Sequence, residues 1–292
     1  MIDPRNDEIS SRKESEIMNG RKTIAYMGAE VAFDSTSMAL WSGVVAGAKK
    51  HNLNLIAFVG GNIMEAQNNI IYDLVTPGIC SGIVNWSIRL QFSDEELSRI
   101  FSRYKSIPMT TIFRSVPGCP MVNSDDFTGM QEAVTHLIEV HGCRRLAFIR
   151  GREDHNPLGA VRYRAYRKTL EEFQIPIDPR LITPELDWGP ASGRLAVSLL
   201  LDERKLRPGL DFDAIVSASD LMLTETQKEL QNRNIQIPDE LALVGFNNSI
   251  NAQVSIPSIT SVATHLPAQG YKAVSVLMNM MDHSPAPKDV LI

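Results

Sequence analysis

Short runs that are apolar at every position alternate with helix-length segments along this chain. The rhythm occurs twice, over about residues 22–113 and again over about 145–246. Leu146–Ile149 and Ala242–Val244 are such runs. A strand that is apolar on both sides is covered on both faces, as the strands of parallel sheets are. Repeated strand–helix–strand order with short connections requires right-handed crossovers, so the pattern predicts two doubly wound α/β lobes. A chain of 292 residues is long enough for two cores. The predicted strands are Thr23–Met27, Leu53–Val59, Gly82–Asn85, Met109–Phe113, Arg145–Ile149, Leu181–Thr183, Asp213–Ser217 and Leu241–Phe246. The predicted helices are Ser37–His51, Glu65–Leu74, Asp94–Tyr104, Asp125–His141, Ala160–Phe173, Ser192–Leu201, Asp220–Arg233 and Pro267–Met281.

Local chemistry sets several of these boundaries. Asp125 can accept from the first free N–H groups of its helix, and Asp220 is placed to do the same. Gly142 can end the first of these helices in a left-handed conformation. That places His141 in its last turn, where a cation is favoured.

The search for catalytic chemistry comes back empty. No GxxxxGK[ST] or GxGxxG string follows a predicted strand, and no GxSxG elbow occurs. His136 and His141 are five apart, so a continuous helix turns them to different sides, and no metal pair is expected. Cys80, Cys119 and Cys143 form no CxxC pair and read as inert thiols in a reducing compartment. The net charge of −5 argues against a nucleic-acid surface. Residues 1–20 are polar, lack the apolar core of a secretory signal, and read as a flexible tail. No run of about 18 apolar residues marks a membrane span, and a cytoplasmic location follows by elimination.

Parallel sheets place ligands outside the carboxyl ends of their strands. Those ends carry Phe33 and Asp34 after the first strand, Asp125 at the entry to the second lobe, and His155 and then Arg162 after Ile149. Trp188 follows Thr183, Ser219 follows Ser217, and Asn247 follows Phe246. The set has a stacking surface, an arginine fork and short polar groups, but no nucleophile–base pair. That suits binding rather than catalysis, with no cofactor.

Four strings in order resemble the LacI/GalR family of regulators. They are VNSDDFTGMQEAVTHLIEVHGCRRLAFIRG, RYRAYRKTLEEFQIPIDPRLI, DAIVSASDLMLTETQKELQNRNIQIPDELALVGFNN and SIPSITSV, and the resemblance covers about residues 22–292. It implies a fold like the type I periplasmic binding proteins, with two doubly wound parallel-sheet lobes joined by three crossovers. These would lie near Asn123–Ser124, near Val262–Thr264 and close to the C-terminus. The N-terminal lobe would hold residues 21–123 and 264–292, and the C-terminal lobe 124–263. The resemblance also implies a sugar-like or related effector in the cleft between the lobes, and a homodimer. By position, Arg162 matches a ligand-gripping arginine and Trp188 a stacking aromatic. Asn247 stands where sugar-binding members usually carry aspartate, and Ser219 where many carry asparagine. No helix-turn-helix fits in residues 1–20, so any contact with DNA would come through a domain outside the chain. Lys288–Ile292 reads as a strand just begun, which points to a C-terminal signalling domain such as a histidine kinase or a cyclic-nucleotide synthase. The first alternative is the effector-binding core of a LacI-type repressor without its DNA-binding head. An enzyme on a Rossmann-like scaffold and an interaction module that has lost its ligand are the others.

Overall fold

The computed structural model describes residues 20–28, 35–61, 63, 70–87, 93–153, 157–282, 284 and 289–292. The proposed tail (except Gly20), Phe33, Asp34 and His155 lie outside the described residues, as does the first half of the predicted Glu65–Leu74 helix. Two compact units divide the chain. One holds the described residues up to Asn123 together with Leu266–Ile292, and the other holds Ser124–His265. The chain thus passes from one unit to the other at Asn123–Ser124 and back at His265–Leu266. Val290–Leu291, close to the C-terminus, pairs with Val122–Asn123 in the first unit.

The first unit is built on strands β1 (Thr23–Gly28), β2 (Asn54–Val59), β3 (Gly82–Trp86), β4 (Met109–Ile112) and β5 (Met121–Asn123). Helices α1 (Ser35–Lys50) and α2 (Asp94–Phe101) lie between them. Among the described residues its sheet is six-stranded, every pairing is parallel, and the order is β10-β5-β4-β3-β1-β2, β10 being Val290–Leu291. Alternate residues of β1 enter two different cores. Ile24 and Tyr26 join one with Leu40, Val44 and Val274, while Ala25 and Met27 join another with Phe58, Leu97 and Phe101. Both faces are therefore covered, as the uninterrupted apolar runs demand. Gly43 of α1 allows a close helix contact in this unit. A Cβ there would lie 1.9 Å from the Pro267 carbonyl oxygen, at the start of the helix Leu266–Met281.

The second unit contains α3 (Asp126–Glu139), β6 (Leu146–Ile149), α4 (Pro157–Glu172), α5 (Pro190–Val197), β7 (Ala214–Ser217), α6 (Asp220–Asn232), β8 (Ala242–Phe246), α7 (Ile250–Val254) and β9 (Thr260–Val262). Helix α8 (Leu266–Met281) then returns to the first unit. The sheet order is β6-β7-β8-β9, again all parallel. One core fills this unit, and β6 and β7 are buried along their whole length.

Three sequence expectations are corrected here. Leu181–Thr183 is not a ladder strand. A 3-10 turn takes up Pro179–Leu181, and only single bridges, Phe148 with Ile182 and Gly151 with Leu186, tie the segment alongside β6. Asp220 is not the cap of α6. Ser219 is still extended and accepts from the Leu221 N–H at 3.2 Å, which makes Asp220 the first helical residue and sends its carboxylate inward. Helix α3 stops at Glu139 rather than at His141. The Val140 N–H still bonds to the His136 carbonyl, but the Cys143 N–H reaches back to Leu137, and Gly142 takes a φ of +69°. The chain therefore curls, and His141 returns over the helix end instead of continuing the spiral.

Candidate functional site

With the Ile182 bridge counted, the chain builds outward in both directions from β6 and β7 in the second unit. Open α/β sheets bind ligands where the order reverses in this way, outside the carboxyl ends of the strands. Arg162, on the helix that follows β6, sits at this point and is only 4 % exposed. Its Nε and Nη2 both reach Asp126 Oδ2 at 2.7 Å, and its Nη1 donates to the Ala218 carbonyl at 2.7 Å. The Ser124 hydroxyl donates to the other oxygen of Asp126. The guanidinium carbon lies 3.9 Å from the centre of the Phe246 ring and 5.9 Å from that of Trp188. Arg162 is thus a planar cation held on two edges and against aromatic faces.

Trp188 is half-buried, with Nε1 donating to the Arg152 carbonyl at 3.2 Å. Gly151 makes room for it, since a Cβ at that position would lie 2.5 Å from the indole. Ser219 is buried, its hydroxyl occupied as the cap of α6. Asn247 has a φ of +107°, a strained value for a residue with a side chain, and its N–H bonds to the Val262 carbonyl at 2.9 Å. Among the described residues its side-chain amide has no hydrogen-bond partner. Asp125 is spent on the cap of α3, accepting from the Thr128 N–H at 3.1 Å and the Thr128 hydroxyl at 2.8 Å. Arg162 and Trp188 are therefore brought together, Ser219 follows directly on the Ala218 carbonyl that Arg162 grips, and Asn247 follows directly on Phe246. The carboxylate that meets the arginine is Asp126, not Asp125.

Sequence reasoning also passed over a polar strip in the first unit. Asn85 Nδ2, Thr111 Oγ1 and Asn123 Oδ1 are buried, with no hydrogen-bond partner among the described residues. Asn85 is opposite Thr111 and Thr111 is opposite Met121, so by the strand period of two all three side chains leave the sheet on one face. Asn85 Oδ1 is satisfied by the Ser87 N–H and hydroxyl, at 3.1 and 2.6 Å. Buried groups of this kind are costly unless something pairs with them. The available signal was an asparagine at or next to the carboxyl end of an otherwise apolar strand, Asn85 in Gly82–Trp86 and Asn123 in Met121–Asn123.

The cysteines are free thiols. Burial pushes Cys119 up to about 11 and also raises Cys80 and Cys143, which keeps all three in the unreactive protonated form. Among the described residues no helix is long and apolar enough to cross a membrane.

The class of fold is a pair of parallel α/β units with chemistry suited to binding. Residues 134–292 match the periplasmic binding protein-like domain family. The chain belongs to that family, in the form of a LacI/GalR-type ligand-binding domain. An HTH-type transcriptional regulator of Lachnoclostridium phytofermentans is 21 % identical over 277 residues, covering 94 % of this chain and 80 % of the relative. The HTH-type transcriptional regulator DegA of Bacillus subtilis is 31 % identical over 169 residues, covering 57 % of this chain but only 47 % of that protein. Among solved structures, a transcriptional regulator CelR–cellobiose complex superposes with a TM-score of 0.78 at 23 % identity, covering all of this chain and 89 % of that one. These relatives are transcriptional regulators rather than enzymes.

Proposed function

We propose that this chain is the sensing part of a bacterial regulator, binding a small polar metabolite and passing its occupancy to an output domain outside the chain. The observation that carries this reading is Arg162, fixed by Asp126 and the Ala218 carbonyl between Phe246 and Trp188. Such a cation presents its remaining N–H groups to a hydroxyl or carboxylate without losing much side-chain entropy on binding. Trp188 supplies an apolar plate and Asn247 an uncommitted amide. Phe33, Asp34 and His155 remain candidates for the same ligand. A sugar-like molecule is the class these groups suit, and the cellobiose of the CelR complex belongs to the same class. The chain itself makes no contact with nucleic acid in this reading. The HTH-type names of the relatives support a DNA-binding output as the second reading.

Thermal-shift screening against sugars, nucleobases, amino acids and organic acids tests the proposal. A true ligand at about 100 times its Kd adds about 2.7 kcal/mol of stability. Asn247→Asp should then tighten binding of a hydroxyl-rich ligand by about tenfold, because a charged acceptor makes a hydrogen bond roughly twice as strong as a neutral one. No shift with any class, in either protein, would point instead to a module that has lost its ligand.

Self-association belongs to the same proposal. Ile250, Val254 and Ile256 are 54 %, 66 % and 85 % exposed on and just beyond α7, an apolar patch that a second copy would cover. The chain is expected to sediment as a dimer, and Val254→Glu with Ile256→Glu to sediment as a monomer with unchanged melting. A dimer that survives both charges would move the interface elsewhere.

A further inference from the structure

The curled end of α3 brings two imidazoles together at a place that the candidate ligand site does not use. His136 Nε2 and His141 Nε2 are 3.1 Å apart, with ring centres at 4.8 Å and planes at 79°. Two imidazole nitrogens bound at about 2.0–2.1 Å to one metal ion stand about 2.9 Å apart at a right angle and about 3.3 Å apart at the tetrahedral angle. The observed spacing falls between these values. We propose that His136 and His141 form a two-imidazole site for a divalent transition-metal ion, with its other coordination positions filled by water or by a ligand that arrives with the metal.

Both ligands are held from the backbone. His136 sits in the final turn of α3, where its carbonyl accepts from the Val140 N–H. His141 is turned back by Gly142 in the left-handed region and by the bond from the Cys143 N–H to the Leu137 carbonyl. Arg144 locks the exit, with Nη1 donating to the Ile138 and Cys143 carbonyls at 2.9 and 2.8 Å. A loop fastened at both sides loses little freedom when a metal bridges its ends. The two rings line a cavity of about 520 Å³, which leaves space beside them for a metal ion and its waters. Among the described residues no group of three or more His, Cys, Asp and Glu side chains is placed to hold a metal ion, so the protein would supply two ligands and leave the other positions open. It is also separate from the Arg162 cluster. Asp126 and His136 are ten residues apart on one helix, a separation of about 15 Å.

The competing arrangement is a plain N–H···N hydrogen bond between the rings, which has the same length but aims only one nitrogen lone pair into the gap. Cu²⁺ is the most discriminating probe because it binds nitrogen ligands most strongly among the first-row dications. Titrated into the full chain at pH 7.5, Cu²⁺ is expected to bind at one equivalent, with electron paramagnetic resonance showing coupling to two imidazole nitrogens. His136→Ala and His141→Ala should each weaken binding by at least about tenfold, as losing a ligand costs no less than losing its supporting contacts. His51→Ala should leave binding unchanged. Both rings of the pair are exposed, so the metal-free melting temperature of each variant should match that of the native chain. Wild-type affinity in either single variant of the pair, or copper coupled to fewer than two imidazoles, would overturn the proposal.

Discussion

Replacing Arg162 with alanine is expected to destabilise the second unit by about 3–5 kcal/mol, the range seen when one partner of a buried ion pair is removed. The reason lies in what the substitution leaves behind. Asp126 is 2 % exposed, and in the variant the cation that pairs with it is gone. The Ala218 carbonyl loses its donor as well, and the Phe246 face loses a cation packed at 3.9 Å. Denaturant unfolding followed by Trp188 emission, with Trp41 and Trp86 changed to phenylalanine, reads the second unit alone. Removing both charges together, as Asp126→Leu with Arg162→Met, should recover most of the loss, since well-packed apolar groups often replace a buried pair with little loss of stability. The double variant should nevertheless fail to bind ligand. A single variant as stable as the native chain would mean that the pair is far more solvated than its burial indicates. This separation matters for function, because loss of binding in Arg162→Ala alone could arise simply from unfolding.

The contrast between Arg162 and its partner shows how far the sequence could be read. The parallel sheets were legible because β6 and the Ala242–Val244 run of β8 are apolar at every position, a pattern that cover on both faces explains. Arg162 was legible because it lies on the helix that follows β6, close to the carboxyl end of that strand. Choosing Asp126 over Asp125 was not, because both are adjacent acids and the local rule for either is to cap a helix. Which one caps depends on where the backbone turns helical, and a one-residue difference exchanges the surface position for the buried one. The same slip separates Ser219 from Asp220. The failed strand at Leu181–Thr183 has a related origin: three apolar or β-branched residues satisfy the propensity, but a neighbouring proline-led turn leaves room only for isolated bridges with β6. The meeting of His136 and His141 was hidden for the opposite reason. Spacing arguments assume a continuous helix, and here the helix ends between the two residues.

Asp220→Ala should cost about 3–4 kcal/mol, since each buried donor left unpaired costs about 1–3 kcal/mol. The Asp220 carboxyl is fully buried and ties three elements together. Oδ2 accepts from the Ser249 N–H at 2.7 Å, ahead of α7, and Oδ1 accepts from the Ser261 hydroxyl of β9 at 2.7 Å. Gly245 allows this carboxyl its place, for a Cβ there would stand 2.1 Å from Oδ1. Burial pushes the Asp220 carboxyl up, more strongly than the hydrogen bonds from Ser261 and Ser249 pull it down. An acid whose folded pKa exceeds its unfolded one holds its proton more tightly in the fold. That contribution is complete below the ordinary carboxylate pKa and is lost as pH climbs through the raised value. Asp220→Asn carries no such titration. Measured against it, the native chain should therefore lose relative stability as pH rises above about 4, while still exceeding Asp220→Ala throughout. Chemical denaturation of the three proteins from pH 4 to 8 checks both parts. A difference between the native chain and Asp220→Asn that is flat, or that grows in favour of the native chain with rising pH, would show that the hydrogen bonds outweigh burial at this carboxyl.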